Sequence, residues 1–213
     1  MTPGEPIAVP PSAELRSRLG EIDIYLFDQI LRGRFDTRRR VLDAGCGDGR
    51  NLVYLLRREE FTCYGVDRDP ASIARVRRLA AELAPDRPAG HFEVGDLEDL
   101  SFDDGSMDAV ISSAVLHFAD DEAQFVRMLE EMWRVLAGNG LFFARLASTI
   151  GLEREVGAAG RVVRLPDGTD RFVVDEPMLL RWTERLGGRL ADPIKTSNVQ
   201  QQRCMTTWCL IKP

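Results

Sequence analysis

The chain has 213 residues, enough for one domain with at most a small accessory lobe, and its 44% hydrophobic and 29% charged residues are those of a globular rather than a disordered protein. A net charge of −6, from 34 acidic against 28 basic side chains, argues against a dedicated nucleic-acid binder, whose affinity comes from basic surface. No apolar run approaches the ~18 residues of a membrane span, the N-terminus lacks the apolar stretch of a signal peptide, and four irregularly spaced cysteines without a CxxC signal neither zinc nor a redox dithiol, so a cytoplasmic protein with no metal, membrane or nucleic-acid partner is expected.

Residues 1–12 contain Pro3, Pro6, Pro10 and Pro11 and are expected to form a flexible tail ahead of a single domain over 13–213. Over 13–35, Leu15, Leu19, Ile22, Leu26 and Ile30 recur at three- and four-residue steps and predict one N-terminal capping helix that ends near Gly33. VLDAG at 41–45 predicts a short buried strand, 51–60 a helix and 61–66 a second strand. Asp69-Pro70 opens a helix that runs to about Leu83, because Asp caps free N–H groups and Pro fits the first helical position. Residues 91–94 and 107–112 read as strands three and four. Asp120 or Asp121 caps a helix that runs through Leu136, Gly138 is the expected left-handed terminator, and 141–146 is strand five.

Strands alternating with helices imply crossover connections and a mostly parallel sheet covered on both faces. The last third differs. Segments 161–165 and 171–175 flank Pro-Asp-Gly-Thr as a hairpin, so 148–175 reads as a lid inserted after strand five. A helix over 177–186 and strands six (190–199) and seven (204–211) follow.

The most informative segment is 41–51, where a strand leads through Gly45, Gly47 and Gly49 into a helix. Glycines let the backbone turn tightly and approach a ligand, and the helix start offers free N–H groups to an anion. The nicotinamide pattern G-x-G-x-x-G/A needs a small third residue where Arg50 stands, and the phosphate-loop lysine is absent.

With Asp43 ahead of the three glycines, this segment resembles motif one of the class I S-adenosylmethionine-dependent methyltransferases. The resemblance continues in order through Asp67 in YGVD, Gly95-Asp96-Leu97, the fourth-strand segment 107–118 and LAGNGLFF at 136–143, covering about residues 40–147. The GDGRN run, with Arg50 and Asn51, is similar to the tellurite-resistance methyltransferases and their small-molecule relatives. The family implies a Rossmann-like, seven-stranded, mostly parallel sheet with an antiparallel strand seven. It implies S-adenosyl-L-methionine as cofactor, held by Asp43, Gly45, Cys46, Gly47, Asn51, Asp67, Arg68, Asp96, Leu97 and Ser112. In the family the residue at Asp67 takes the ribose hydroxyls and that at Asp96 the adenine amino group. Simpler roles stay open: Asp43 as an organiser of the loop backbone, Asp96 as a turn residue, Cys46 as a small filler.

His117 follows strand four at the carboxyl edge, where open α/β sheets bind ligands. It reads as a general base titrating near neutrality, or as a ring that packs on the cofactor. The turn between strands six and seven, with Asn198 and Arg203, belongs to the same edge, as do Arg145 and the N-terminal helix with Tyr25. These four are the candidate substrate-binding residues for a small methyl acceptor under the lid, with an anionic group held by Arg145 or Arg203 as one reading and the two arginines solvated or paired with lid carboxylates such as Glu153 as the equal alternative. The D/N-P-P-Y of the amino-methylating DNA enzymes is missing; the chain has Ser112-Ser113-Ala114-Val115 there. The expected activity is methyl transfer to a small molecule by a monomer or homodimer. A non-catalytic cofactor-binding protein and a nucleotide-dependent oxidoreductase are the alternatives.

Overall fold

The structure, a computed structural model, describes residues 12–88, 91–154 and 160–213. Most of the expected tail 1–12 lies outside the described residues, as do residues 155–159 of the expected lid. Ser12 already belongs to the first helix.

The expected single N-terminal helix is two, α1 (Ser12–Leu19) and α2 (Ile24–Leu31). Gly20, at φ +69°, breaks the run where any side chain would strike Val53. Asp23 then starts afresh, its Oδ1 accepting the Tyr25 N–H at 2.9 Å. A continuous apolar stripe is thus overridden by a cap.

Strands β1 (Arg40–Ala44), β2 (Thr62–Asp67), β3 (Phe92–Val94), β4 (Met107–Ser113) and β5 (Leu136–Ser148) pair in parallel in the order β3-β2-β1-β4-β5. The lid hairpin pairs β6 (Val162–Arg164) with β7 (Asp170–Phe172). Beyond β5 come β8 (Arg189–Leu190), β9 (Lys195–Val199) and β10 (Arg203–Ile211), with β10 antiparallel to β5, β8 and β9.

The main sheet therefore has eight strands, not seven, because expected strand six is split into β8 and β9. Pro193 cannot donate to a ladder, and Asp192 turns instead to accept from Gln29 (2.9 Å) and Arg34 (2.8 Å). Both pieces run antiparallel to β10 and hence parallel to β5.

Helices α3 (Val53–Leu56), α4 (Pro70–Leu83), α5 (Glu122–Val135) and α6 (Glu176–Arg185) complete the fold. Strand alternation divides the core. Val41, Ile111 and Phe143 pack on Leu26, Leu55 and Ile73 of α2 to α4. Leu42, Val110, Phe142 and Trp208 pack on Phe125, Leu129, Met178 and Trp182 of α5 and α6. Only 53–56 of the expected helix 51–60 is helical, with no side-chain cap. Helix α5 passes directly into β5, where the left-handed residue is Asn139 (φ +62°), not Gly138. Lys212 donates to the last carbonyls, Trp133 (2.6 Å) and Leu136 (2.7 Å).

Candidate active site

Two clefts open at the carboxyl ends of the parallel strands, meeting at Ala114. That alanine sits just past β4 in a left-handed conformation (φ +64°), held by its N–H to the Arg145 carbonyl at 2.7 Å.

The first cleft, about 250 Å³, is lined by Gly45, Asp67, Arg68, Asp96 and Leu97, five of the residues expected at the cofactor. Gly95 of the Gly95-Asp96-Leu97 motif joins them, as do Val115 and Phe118 of the fourth-strand segment 107–118, and Gln124 and Met128 of α5, which the sequence did not single out for this cleft. Gly45, Gly47 and Gly49 all have positive φ, at +80°, +50° and +83°. A side chain at Gly45 would strike Val115 and one at Gly49 would strike Val76, whereas the space beyond Gly47 is open. Asp67 fastens this loop: Oδ2 accepts the Gly47 N–H and Oδ1 the Asp69 N–H, both at 2.9 Å. Each oxygen keeps a lone pair for a ligand hydroxyl. Asp96 accepts the Glu98 N–H at 3.0 Å through Oδ1.

The other expected cofactor residues do not line this cleft. Cys46 is buried beneath the loop, with its sulfur against Gly65, and burial raises its thiol pKa far above the usual range. Asn51 is buried and accepts the Asp23 N–H at 3.1 Å. Ser112 is buried with its hydroxyl unpartnered among the described residues. Asp43 is fully buried, and neither carboxylate oxygen has a well-formed hydrogen bond among the described residues. Burial pushes its pKa up to about 7 against the opposing pull of Arg50 and Asn51. An orphaned carboxylate under a glycine loop suits a ligand that brings its own positive charge.

The second cleft, about 290 Å³, lies between the ends of β4, β5 and β10 and the β6–β7 lid. His117, Arg145 and Arg203 line it as expected, together with Arg171, Asp167 and Thr169 from the hairpin and the apolar Ala147, Leu165, Val199 and Met205. The hairpin rests on its own small core of Leu152, Leu165 and Val173.

Here His117 differs from the expected base. Its Nδ1 accepts the Ala147 N–H at 3.2 Å, which places the proton of the neutral ring on Nε2. Burial, with Arg171, Arg145 and Arg203 facing it from β7, β5 and β10, lowers its pKa to about 4. At neutral pH it is therefore a donor at Nε2.

Tyr25 lines neither large cleft. Its hydroxyl bonds Ser197, and its ring lies beneath Arg145 at 5.0 Å. Asn198 is exposed and works in the lid, donating to the Gly151 carbonyl at 3.2 Å. Gln200 and Gln201, both at positive φ, form the β9–β10 turn and leave only Val199 and Arg203 facing the cleft. Glu153 accepts from Gly151 and pairs with neither arginine.

Asp23 is the residue the sequence reading missed. Its side chain is 1% exposed, and Oδ2 accepts from Ser113 (3.0 Å) and Arg145 (3.1 Å). Arg50 also donates to Ser113, at 3.0 Å, so one network joins α2, the glycine loop, β4 and β5. The cap spacing Asp-Ile-Tyr was its only local signal.

His117 sets a pH dependence. The folded pKa lies below the unfolded value of about 6.5, so the unfolded chain binds the extra proton between pH 6.5 and 4, and stability falls as pH drops through that window. The loss approaches about 3 kcal/mol by pH 4. Asp43, with its raised pKa, acts oppositely and loses its contribution as pH rises from 4 to 7. The difference in urea-unfolding free energy between wild type and His117→Asn therefore isolates the histidine. It is expected to shrink from pH 7 to pH 4; a constant difference would contradict the neutral buried ring.

Comparison with known proteins agrees with this geometry. Residues 41–140 match a family described as a methyltransferase domain. A malonyl-[acyl-carrier protein] O-methyltransferase from Halorhodospira halophila is 37% identical over 169 residues, 75% of this chain and 55% of that protein. An ajmaline N-methyltransferase from Rauvolfia serpentina is 31% identical over 99 residues, 46% of this chain and 33% of that one. The chain spans about half or less of the length of these curated relatives. Among solved structures, the PH0226 protein of Pyrococcus horikoshii OT3 superposes with a TM-score of 0.68 at 23% identity, covering 95% of this chain and 92% of its own. The magnesium protoporphyrin IX methyltransferase of Synechocystis PCC 6803, with SAH bound, gives 0.67 at 16% identity over 98% and 90%. At these identities the structural likeness is one of fold.

Proposed function

The chain belongs, through residues 41–140, to the class I S-adenosylmethionine-dependent methyltransferases, and from that premise we propose that it binds S-adenosylmethionine in the first cleft and methylates a small molecule lodged in the second. The observation that carries this reading is the junction of the two clefts at Ala114, with the glycine loop, Asp67 and Asp96 on one side and the lid on the other. When bound, the cofactor supplies an activated methyl group on a sulfonium.

The protein's own work is then positioning and exclusion of water. Asp67 and Asp96 offer carboxylate lone pairs to hydroxyl and amino groups. Asp43, fully buried beneath the glycine loop and outside the lining of the cleft, sets a carboxylate behind the site whose field favours a ligand cation. Phe118, half exposed, presents its ring to the first cleft while Arg171 of the second lies over it at 4.7 Å, so one side chain walls both. His117 holds a proton at Nε2 rather than removing one.

Titration calorimetry with S-adenosylmethionine, S-adenosylhomocysteine and NAD tests the cofactor. Uptake of neither sulfur ligand would sink the reading, and NAD binding would favour the oxidoreductase alternative. S-adenosylhomocysteine is expected to release up to about three quarters of a proton near pH 6.5, as the field of a ligand ammonium favours the ionised form of Asp43, and this release should vanish in Asp43→Asn. It is read by repeating the titration in buffers of different ionisation enthalpy.

A methyl-acceptor screen over thiols, phenols, amines, carboxylates and chalcogen oxyanions tests turnover; the last class covers the tellurite-resistance resemblance. Tight cofactor binding with no acceptor would favour a binding protein. A cytoplasmic setting and a monomer or homodimer belong to the same reading. The buried thiols of Cys46, Cys63 and Cys209 fit a reducing compartment, and among the described residues no helix is long and apolar enough to cross a membrane.

A further inference from the structure

The second cleft has a composition that restricts what it takes. Arg145, Arg171 and Arg203 converge on it, and the only carboxylate lining it among the described residues is Asp167. Asp167 is engaged by its own turn, with Oδ1 accepting the Thr169 N–H (3.0 Å) and hydroxyl (2.6 Å), and its Oδ2 lies 3.8 Å from Arg203. Arg145 is matched from behind by Asp23, and its Nε is buried without a partner. Arg171 forms no salt bridge among the described residues; it donates to the Asp170 carbonyl, lies over the Phe118 ring, and acts on Asp167 and His117 through space. Counted over these groups, three cations face two anions, leaving one positive charge for a ligand to neutralise.

The rest of the wall is hydrocarbon: Ala147, Leu165, Val199 and Met205. Among the described residues no lining group is set to act as a base: His117 spends Nδ1 on Ala147, and the Thr169 hydrogen bonds, with Arg203 and Arg171 nearby, hold the Asp167 carboxyl below its usual range.

Resting on the methyltransferase reading above, we propose that this cleft is the acceptor site for a small carboxylic acid with an apolar body, its carboxylate held by Arg171 and Arg203 and by the Nε2–H of His117. One surplus charge suits a monoanion; a phosphate ester would bring nearly two. Planar guanidinium groups bind a carboxylate through paired hydrogen bonds, so lysine is a poor substitute. A carboxylate also asks for no base, in keeping with the walls of the cleft.

The test titrates hexanoate, hexanamide, benzoate, benzamide and butyl phosphate into the full chain saturated with S-adenosylhomocysteine, followed by calorimetry and by chemical-shift changes at the cleft. The carboxylates are expected to bind at least tenfold more tightly than their amides. Arg171→Ala and Arg203→Ala are each expected to weaken carboxylates at least tenfold, with Arg171→Lys in between, and Arg203→Ala, which touches nothing in the first cleft, to leave S-adenosylhomocysteine affinity unchanged. Equal binding of acid and amide, tighter binding of butyl phosphate, or wild-type affinity in both alanine variants would overturn the carboxylate assignment. Failure of S-adenosylhomocysteine to bind at all would instead overturn the reading beneath it.

Discussion

Asp23→Ala is expected to destabilise the fold by about 4 kcal/mol, because it removes one partner of a buried ion pair and leaves the other charge uncompensated. The carboxylate is 1% exposed and meets Arg145, Ser113 and the Tyr25 N–H, while its own backbone N–H is held by Asn51. Losing it also uncaps α2, worth about 1 kcal/mol of that total. Asp23→Asn keeps an acceptor for the cap and removes the charge, so it should fall between the two. Urea unfolding measures the effect, and a double-mutant cycle with Arg145→Ala separates its parts. The double variant is expected to be less unstable than the sum of the singles, since no orphaned cation remains. Strict additivity would mean that the pair contributes nothing beyond its separate contacts.

Gly45→Ala is expected to cost about 4 kcal/mol, the sum of two terms. A non-glycine residue at φ +80° pays about 1–2 kcal/mol for the left-handed conformation. The added Cβ would also lie 2.4 Å from Val115 Cγ2, an overpacking that costs about 1–3 kcal/mol more. Adding Val115→Ala should recover the second term and leave the first. Both effects fall on a residue of the first cleft, so calorimetry should show S-adenosylhomocysteine binding weakened at least tenfold in the single variant. Gly47→Ala is the contrast: its Cβ meets no protein atom within 4 Å, so only conformational strain and any contact with ligand remain. A Gly45→Ala variant as stable as Gly47→Ala would contradict the crowding against Val115.

The chain's local patterns made much of the first cleft legible. A parallel strand with both faces buried, three glycines and a following helix are features of one short stretch, and spacing along the chain is enough to read them. Asp67 and Asp96 were readable for the same reason, each standing at the end of its own strand. Where a local signal competed with another local signal, the reading slipped. The stripe from Leu15 to Ile30 hid the Asp23 cap, and Gly138 drew attention from Asn139. Strand six was read straight through Pro193 as 190–199, and no local signal showed that Asp192 would turn to Arg34.

The second cleft was legible only in part: strand order brought His117, Arg145 and Arg203 to one edge under a lid, but no single stretch contains the site, and Arg171 and Asp23 were not read into it. Arg171 comes from the lid, Arg203 from the last strand, and Arg145 is held by a carboxylate 122 residues away. The same distance in sequence decided the role of His117. Its position after strand four was readable, but its tautomer depends on the Ala147 N–H and its charge on burial first and then on three arginines from three other strands. The sequence by itself determined a cofactor fold and the loop that serves it, because glycine conformation and strand burial are set locally. Only the tertiary structure decided the sign and shape of the second cleft, because charge and hydrogen bonding act through space between groups the chain keeps far apart.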